Sequence, residues 1–283
     1  MSDVSPEAAT KLEEPLELLS ALRNEAHVYL AFTDRHSNSK LLSWYRGLLS
    51  SEERKRCNGF YFARDRDLYV LTHGLVRLAL SRYLRRDPDK WVFTGGFPGR
   101  PELDQSEGSP PLRFSVSRSH GLSACLVVLS IDAGLDVEKN RKLDMFDRFS
   151  EKAFTPAEVS NLSELPERQQ METFFSLWTL KEAYVKARGK GLALPLNRLS
   201  FYSDGEGCIR VSPAPELQDM PSNWQFVCYR PRRSHTVAVA LDRKDRPDLR
   251  IRFFEATPQP RGLSFSCLKE CPPGDGERSA RNR

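Results

Sequence analysis

The sequence predicts an α+β protein made of two halves, each a small, mainly antiparallel sheet packed with one long helix. Three observations lead there. Runs rich in β-branched, aromatic or alternating residues stand at 27–33, 113–116, 124–131, 134–138, 199–202, 225–229, 236–241 and 250–254. Long stretches of helical periodicity, 51–84 and 168–188, fall one in each half. Strands and helices do not alternate strictly, which argues against a wholly parallel sheet. A chain of 283 residues has room for one large domain or two ordinary ones, and the seam falls at 130–133. The expected organisation is a lead-in over 1–26, an N-terminal half over 27–131, a C-terminal half over 132–256 and a disordered tail over 257–283.

Each element has a local reason. Residues 1–24 hold five acids and two bases and lack a basic stretch leading into an apolar one, so neither a secretory signal nor a transit peptide is expected. HVYLAFT (27–33) alternates as a strand does. SSEE (50–53) offers an N-cap followed by acids, a helix start. The helical pattern then breaks near Asn58-Gly59, and Leu68, Leu71, Leu75, Leu78 and Ala79 mark a buried face at spacings of three and four. Gly, Pro and Ser place loops at 98–101 and 104–111. The continuous apolar run at 124–131 reads as a buried strand, and GLDVE (134–138) continues in extended form. Helices follow over 154–162, 168–175 and 175–188, the last ended by Gly189-Lys190-Gly191. After Pro258 the composition turns to Pro, Gly and charge, which predicts disorder.

Composition removes several function classes. Hydrophobic residues make up 39%, enough for a core. The longest apolar stretch, 124–129, is far below the roughly 20 residues that span a bilayer, so no membrane role is expected. Six cysteines are too few for a disulfide scaffold. Cys267 and Cys271 form a lone C-x-x-x-C with no histidine after it, unlike the paired motifs of zinc sites. A reducing, cytoplasmic location is expected. The net charge of +5 does not mark a nucleic-acid binder, but it suits phosphate-rich molecules and acidic proteins. No period of 20–50 residues repeats, which excludes solenoids.

Chemistry concentrates in three places. On an extended segment, residues two apart face the same side, so Asp136 and Glu138 present two carboxylates together. Hard oxygen donors suit Mg²⁺, which takes one or two carboxylates and completes its shell with water and substrate phosphate. The same pattern also fits a solvated turn whose acids pair with Lys139, Arg141 and Lys142. Within WTLKEAYVK (178–186), Glu182 and Lys186 are four apart on one helix face, with Trp178 one turn earlier. An ordinary surface ion pair looks the same; beside a metal-binding strand, Glu182 becomes a third ligand or a base and Lys186 a phosphate contact. The third set is basic: Arg54, Lys55, Arg56, Arg64, Arg66, Arg100, Arg118 and His120. Arginine presents a planar fork to phosphate, although each residue singly is an ordinary surface charge. His73 lies in a helical run and reads as structural or as part of the rim.

Read in order, FYFARD (60–65), GRPEL (99–103), FSVSRSHG (114–121), GLDVEKN (134–140) and FSLWTLKEAYVKARGKGLALPL (175–196) resemble the surfactin-type 4′-phosphopantetheinyl transferases. The similarity runs from about 27 to 254. The G-x-D-x-E and W-x-x-K-E-A motifs, about 45 residues apart, make it specific.

The resemblance implies two pseudo-symmetric α+β halves with coenzyme A in the cleft between them. It implies transfer of 4′-phosphopantetheine from coenzyme A to a serine of an apo acyl or peptidyl carrier protein, with Mg²⁺ as cofactor and 3′,5′-ADP released. By motif position, Asp136, Glu138 and Glu182 are the metal ligands. Glu182 is also the base, and Lys186 contacts phosphate and steadies the leaving group. Arg64, Arg100, Arg118, His120, Lys181 and Lys186 are the implied coenzyme A contacts. Many members carry histidine directly after the serine of an S-H-S motif. Counting forward to Cys125 puts Arg118 at that position, with His120 two residues on, so both are carried. Two halves in one chain imply a monomer, with no nucleic acid or membrane among the partners. The rival reading, a non-catalytic basic module for nucleic acid or acidic proteins, relies on 54–66 and the basic tail. Its RNA form expects a module signature that the sequence lacks.

Overall fold

The computed structural model describes residues 15–95, 101–104, 109–143, 146–189, 194–204, 208–213, 220–244, 246–259 and 262–273. The first half contains α1 (Pro15–Ala21), β1 (Glu25–Phe32), α2 (Ser39–Gly47), α3 (Ser51–Asn58), α4 (Ala63–Leu80), β2 (Phe93–Thr94), β3 (Glu102–Leu103), β4 (Leu112–Ser119) and β5 (Leu122–Leu129). The second opens with β6 (Asp132–Lys139), α5 (Phe146–Ala153), α6 (Pro156–Ser163) and α7 (Glu167–Arg188). It continues with β7 (Leu199–Ser203), β8 (Ile209–Pro213), β9 (Trp224–Arg232) and β10 (His235–Asp242), and the chain returns through β11 (Arg250–Gln259) and β12 (Gly262–Cys271).

Two sheets carry the fold. One has five strands in the order β12-β11-β1-β5-β4, the other three in the order β6-β10-β9. All neighbours in them are antiparallel except β1 and β11, which run parallel. The alternation of each strand decides the layering. Tyr29, Ala31, Cys125 and Val127 face α4. Val28, Leu30, Ala124 and Leu126 face the opposite way and meet Leu135, Val137, Val237 and Val239 of the second sheet. Ala238 and Ala240, on that sheet's other face, pack with Leu180, Ala183 and Tyr184 of α7. The order through the molecule is therefore α4, five-stranded sheet, three-stranded sheet, α7. Among the described residues no helix is long and apolar enough to cross a membrane.

Helix boundaries follow their sequence signals. Ser50 and Glu53 form the capping box of α3, and Thr155 with Glu158 forms that of α6. Gly189 ends α7 with φ of 63°, the left-handed turn that glycine supplies cheaply. The helices expected at 168–175 and 175–188 are one continuous α7.

The expected division at 256 needs correction. β11 and β12 belong to the N-terminal half's sheet, and 262–271 is a strand rather than a disordered tail. Composition concealed this: Leu263 and Phe265 alternate with serines, and both pack against the core beneath α4. β8, also unanticipated, pairs with β7.

Candidate active site

The site forms where α7 lies on β6, and glycine lets the two meet. A Cβ built on Gly134 would stand 1.9 Å from the carbonyl oxygen of Ala183 and 2.5 Å from the amide nitrogen of Ala187. Only a residue without a side chain lets the helix come so close. Asp136 and Glu138 share the strand face of Gly134. Glu182 and Lys186 each precede one of the contacting alanines. The close approach therefore sets the acids of β6 against the turns of α7 that carry Glu182 and Lys186.

Asp136 is 5% exposed. Its Oδ1 accepts from Lys186 Nζ at 2.7 Å and from Ser117 Oγ at 2.9 Å. Its Oδ2 is buried without a hydrogen-bond partner. Glu138 Oε1 accepts from the Trp178 indole N–H at 3.1 Å. Burial raises the Glu138 carboxyl above its ordinary range, and the charge of Asp136 raises it further. Burial likewise raises Glu182, again with help from Asp136 and against the pull of Lys186. Burial and the charge of Asp136 thus raise both glutamates, and Lys186 opposes the rise in each.

Among the described residues no three His, Cys, Asp or Glu side chains are gathered closely enough to form a ready-made metal cage. The donor chemistry nevertheless suits a hard divalent cation. The buried, unpartnered Oδ2 of Asp136 and the two raised glutamates are oxygen donors that a cation would relieve, and Mg²⁺ needs only one or two protein carboxylates when phosphate supplies the remainder.

β4 contributes what the motif reading overlooked. Among the described residues β6 pairs through its backbone with β10 alone. On its other side the amides of Leu135, Val137 and Lys139 donate to the hydroxyls of Ser115, Ser117 and Ser119 at 3.0, 3.2 and 3.0 Å. Serines two apart on β4 thus satisfy an edge that would otherwise stand bare. The signal was present in FSVSRSHG, where serine recurs at every second position.

The basic candidates separate. Arg118 points from β4 toward α4, its guanidinium 5.3 Å from the centre of the Tyr69 ring. The His120 side chain is exposed, and its carbonyl accepts from His235 Nε2 at 2.9 Å. Arg64 is exposed at the start of α4, 4.9 Å from the centre of the Phe62 ring. Arg100 lies outside the described residues. His73 is structural, held by Glu53 at 2.9 Å.

Lys181 is a correction. It is fully buried, with Nζ donating to Glu158 Oε2 at 2.6 Å, Ala153 O at 2.9 Å and Leu196 O at 3.1 Å. All three ammonium protons are spent, so it cannot bind a phosphate of coenzyme A. One residue along a helix turns the side chain by about 100°, which carries Lys181 away from the face of Glu182. Sequence analysis missed its partner: Glu158 also accepts from Thr155 N and Phe201 N, joining α6, α7 and β7.

Comparison with known proteins covers the segment that carries the site. Residues 132–240 match the ACPS family, the 4′-phosphopantetheinyl transferase superfamily. The 4′-phosphopantetheinyl transferase HetI of Nostoc sp. is 33% identical over 175 residues, 62% of this chain and 73% of its own. The chain belongs to the 4′-phosphopantetheinyl transferase superfamily. Sfp of Bacillus subtilis, another 4′-phosphopantetheinyl transferase, is 27% identical over 221 residues, 78% of this chain and 94% of its own. The L-aminoadipate-semialdehyde dehydrogenase-phosphopantetheinyl transferase of Xenopus laevis is 25% identical over 206 residues, covering 69% and 68%. The protein is an enzyme, a phosphopantetheinyl transferase, which sets aside the non-catalytic basic module.

Proposed function

We propose that this transferase takes 4′-phosphopantetheine from coenzyme A, attaches it to a serine hydroxyl of an apo carrier protein and releases 3′,5′-ADP. The buried Asp136, with Oδ1 held and Oδ2 without a hydrogen-bond partner, is the observation that carries this reading. Asp136, Glu138 and Glu182 would hold Mg²⁺, which neutralises pyrophosphate charge and makes phosphorus more electrophilic. Glu182 takes the proton of the attacking serine as general base. The serine Oγ–P bond forms as the bond from phosphorus to the bridging oxygen breaks. Lys186, one third exposed and 2.7 Å from Asp136 Oδ1, faces the charge that grows on the leaving phosphate. Arg64, Arg100, Arg118 and His120 supply donors for the nucleotide part of coenzyme A. Carrier proteins are acidic, and the surplus of five positive charges favours their approach. The enzyme acts as a monomer in the cytoplasm.

Purified protein mixed with coenzyme A, Mg²⁺ and a panel of apo carriers should add one phosphopantetheinyl group to a carrier by intact mass. Asp136→Ala and Glu182→Ala should each lower the rate by about 10² to 10⁴-fold while the circular dichroism spectrum is kept. A panel with no mass gain, or wild-type rates in both variants, overturns the proposal.

A further inference from the structure

We propose that Ser117 is a positioning residue that assigns the two oxygens of Asp136 different tasks, committing Oδ1 to the protein and reserving Oδ2 for the divalent cation. The inference rests on the function proposed above. Its ground is a complete hydrogen-bond account. A serine hydroxyl has one proton to donate and two lone pairs to accept with. Ser117 Oγ accepts from Val137 N at 3.2 Å and from Lys186 Nζ at 3.0 Å. Both lone pairs are taken, so the single proton must point at its remaining neighbour, Asp136 Oδ1, 2.9 Å away. The same Oδ1 receives Lys186 Nζ at 2.7 Å. Ser117, Lys186 and Asp136 close a three-membered ring of hydrogen bonds that uses one carboxylate oxygen and leaves the other, buried, with nothing. The ring also fixes where the Lys186 ammonium sits, so one hydroxyl orients a proposed metal ligand and a proposed phosphate contact together.

The neighbouring serine separates this role from a merely structural one. Ser115 Oγ accepts from Leu135 N at 3.0 Å, the same fastening of β4 to β6, and among the described residues no side-chain bond of Ser115 to an acid of the site accompanies it. Ser115 and Ser117 are buried alike, 6% and 8% exposed. Loss of either hydroxyl removes the bond to a β6 amide; loss of Ser117 alone also takes away one of the two donors that hold Asp136 Oδ1.

The test is a Mn²⁺ titration of the protein with coenzyme A, free ion read by electron paramagnetic resonance, on wild type, Ser117→Ala, Ser115→Ala and Ser117→Thr. Removing a group that orients a metal ligand typically weakens metal binding about 10 to 100-fold, and that loss is expected for Ser117→Ala, with kcat falling more than KM for coenzyme A changes. Ser115→Ala should keep wild-type Mn²⁺ affinity although its melting temperature falls as much. Ser117→Thr, which restores the hydroxyl, should recover most of the affinity. Wild-type Mn²⁺ affinity in Ser117→Ala, or equal losses in both alanine variants, overturns the inference while leaving the transferase reading intact. A wild-type protein that transfers nothing and binds no Mn²⁺ overturns both.

Discussion

Replacing Lys181 by methionine should cost stability and leave coenzyme A binding alone. Methionine keeps the length of the side chain and removes its charge and donors. Glu158, 3% exposed, would then hold a buried carboxylate with only the amides of Thr155 and Phe201 to answer it. The carbonyls of Ala153 and Leu196 would lose a donor as well. Breaking a buried pair by deleting one partner costs about 3–5 kcal/mol, because the remaining charge is stranded. For a chain of this size that corresponds to a fall of roughly 6–20 °C in melting temperature. Calorimetry gives the stability, and initial rates at 20 °C on the folded enzyme give KM for coenzyme A. Adding Glu158→Gln to Lys181→Met should recover part of the loss, since the stranded charge goes too. A variant that melts like wild type but needs tenfold more coenzyme A would show that Lys181 reaches phosphate, and would refute its assignment to the interior.

Gly134→Ala should be severe. With a Cβ 1.9 Å from the Ala183 carbonyl, α7 must retreat by about 1 Å, and a displacement of that size at reacting groups costs on the order of 10²-fold in rate; a wild-type transfer rate would show that the helix yields at no cost. Acid should act through Glu53, which accepts from His73 at 2.9 Å and Arg77 at 2.7 Å. Burial alone would raise this carboxyl, but the hydrogen bond and charge of His73, the charge of Arg77 and the Ser50 amide outweigh it and bring it from 4.5 down to about 2. The folded state therefore favours the ionised form, so its contribution is complete above pH 4.5 and drains away as pH falls toward about 2. Melting curves across that range should show wild type losing stability faster than Glu53→Gln, which starts lower at neutral pH; parallel curves would remove Glu53 as the cause.

Much of the architecture could be read from periodicity, because periods of two and 3.6 act locally. The break between α3 and α4 and the Gly189 stop of α7 were legible, as was the placing of Glu182 and Lys186 on one helix. The direction of Lys181 was not, because its neighbour Glu182 carries the same motif and only the packing of α6 reveals which side is inside. β12 was hidden by composition, since an edge strand needs few large apolar residues once Leu263 and Phe265 are placed. The serines of β4 were visible but unread, because a hydroxyl that completes another strand's edge has meaning only when both strands are known. Residue order likewise gives no hint that Glu25 lies beside Arg250.

That last pairing bears on how the protein is made. β1 waits for a partner more than two hundred positions later, so its sheet stays open on one side until β11 has been made. Nascent chains in that state expose unpaired amides and carbonyls, which invites association with other molecules. The two halves therefore cannot mature in sequence as separate units, and nonsense codons placed before Arg250 should yield aggregates rather than a smaller working enzyme.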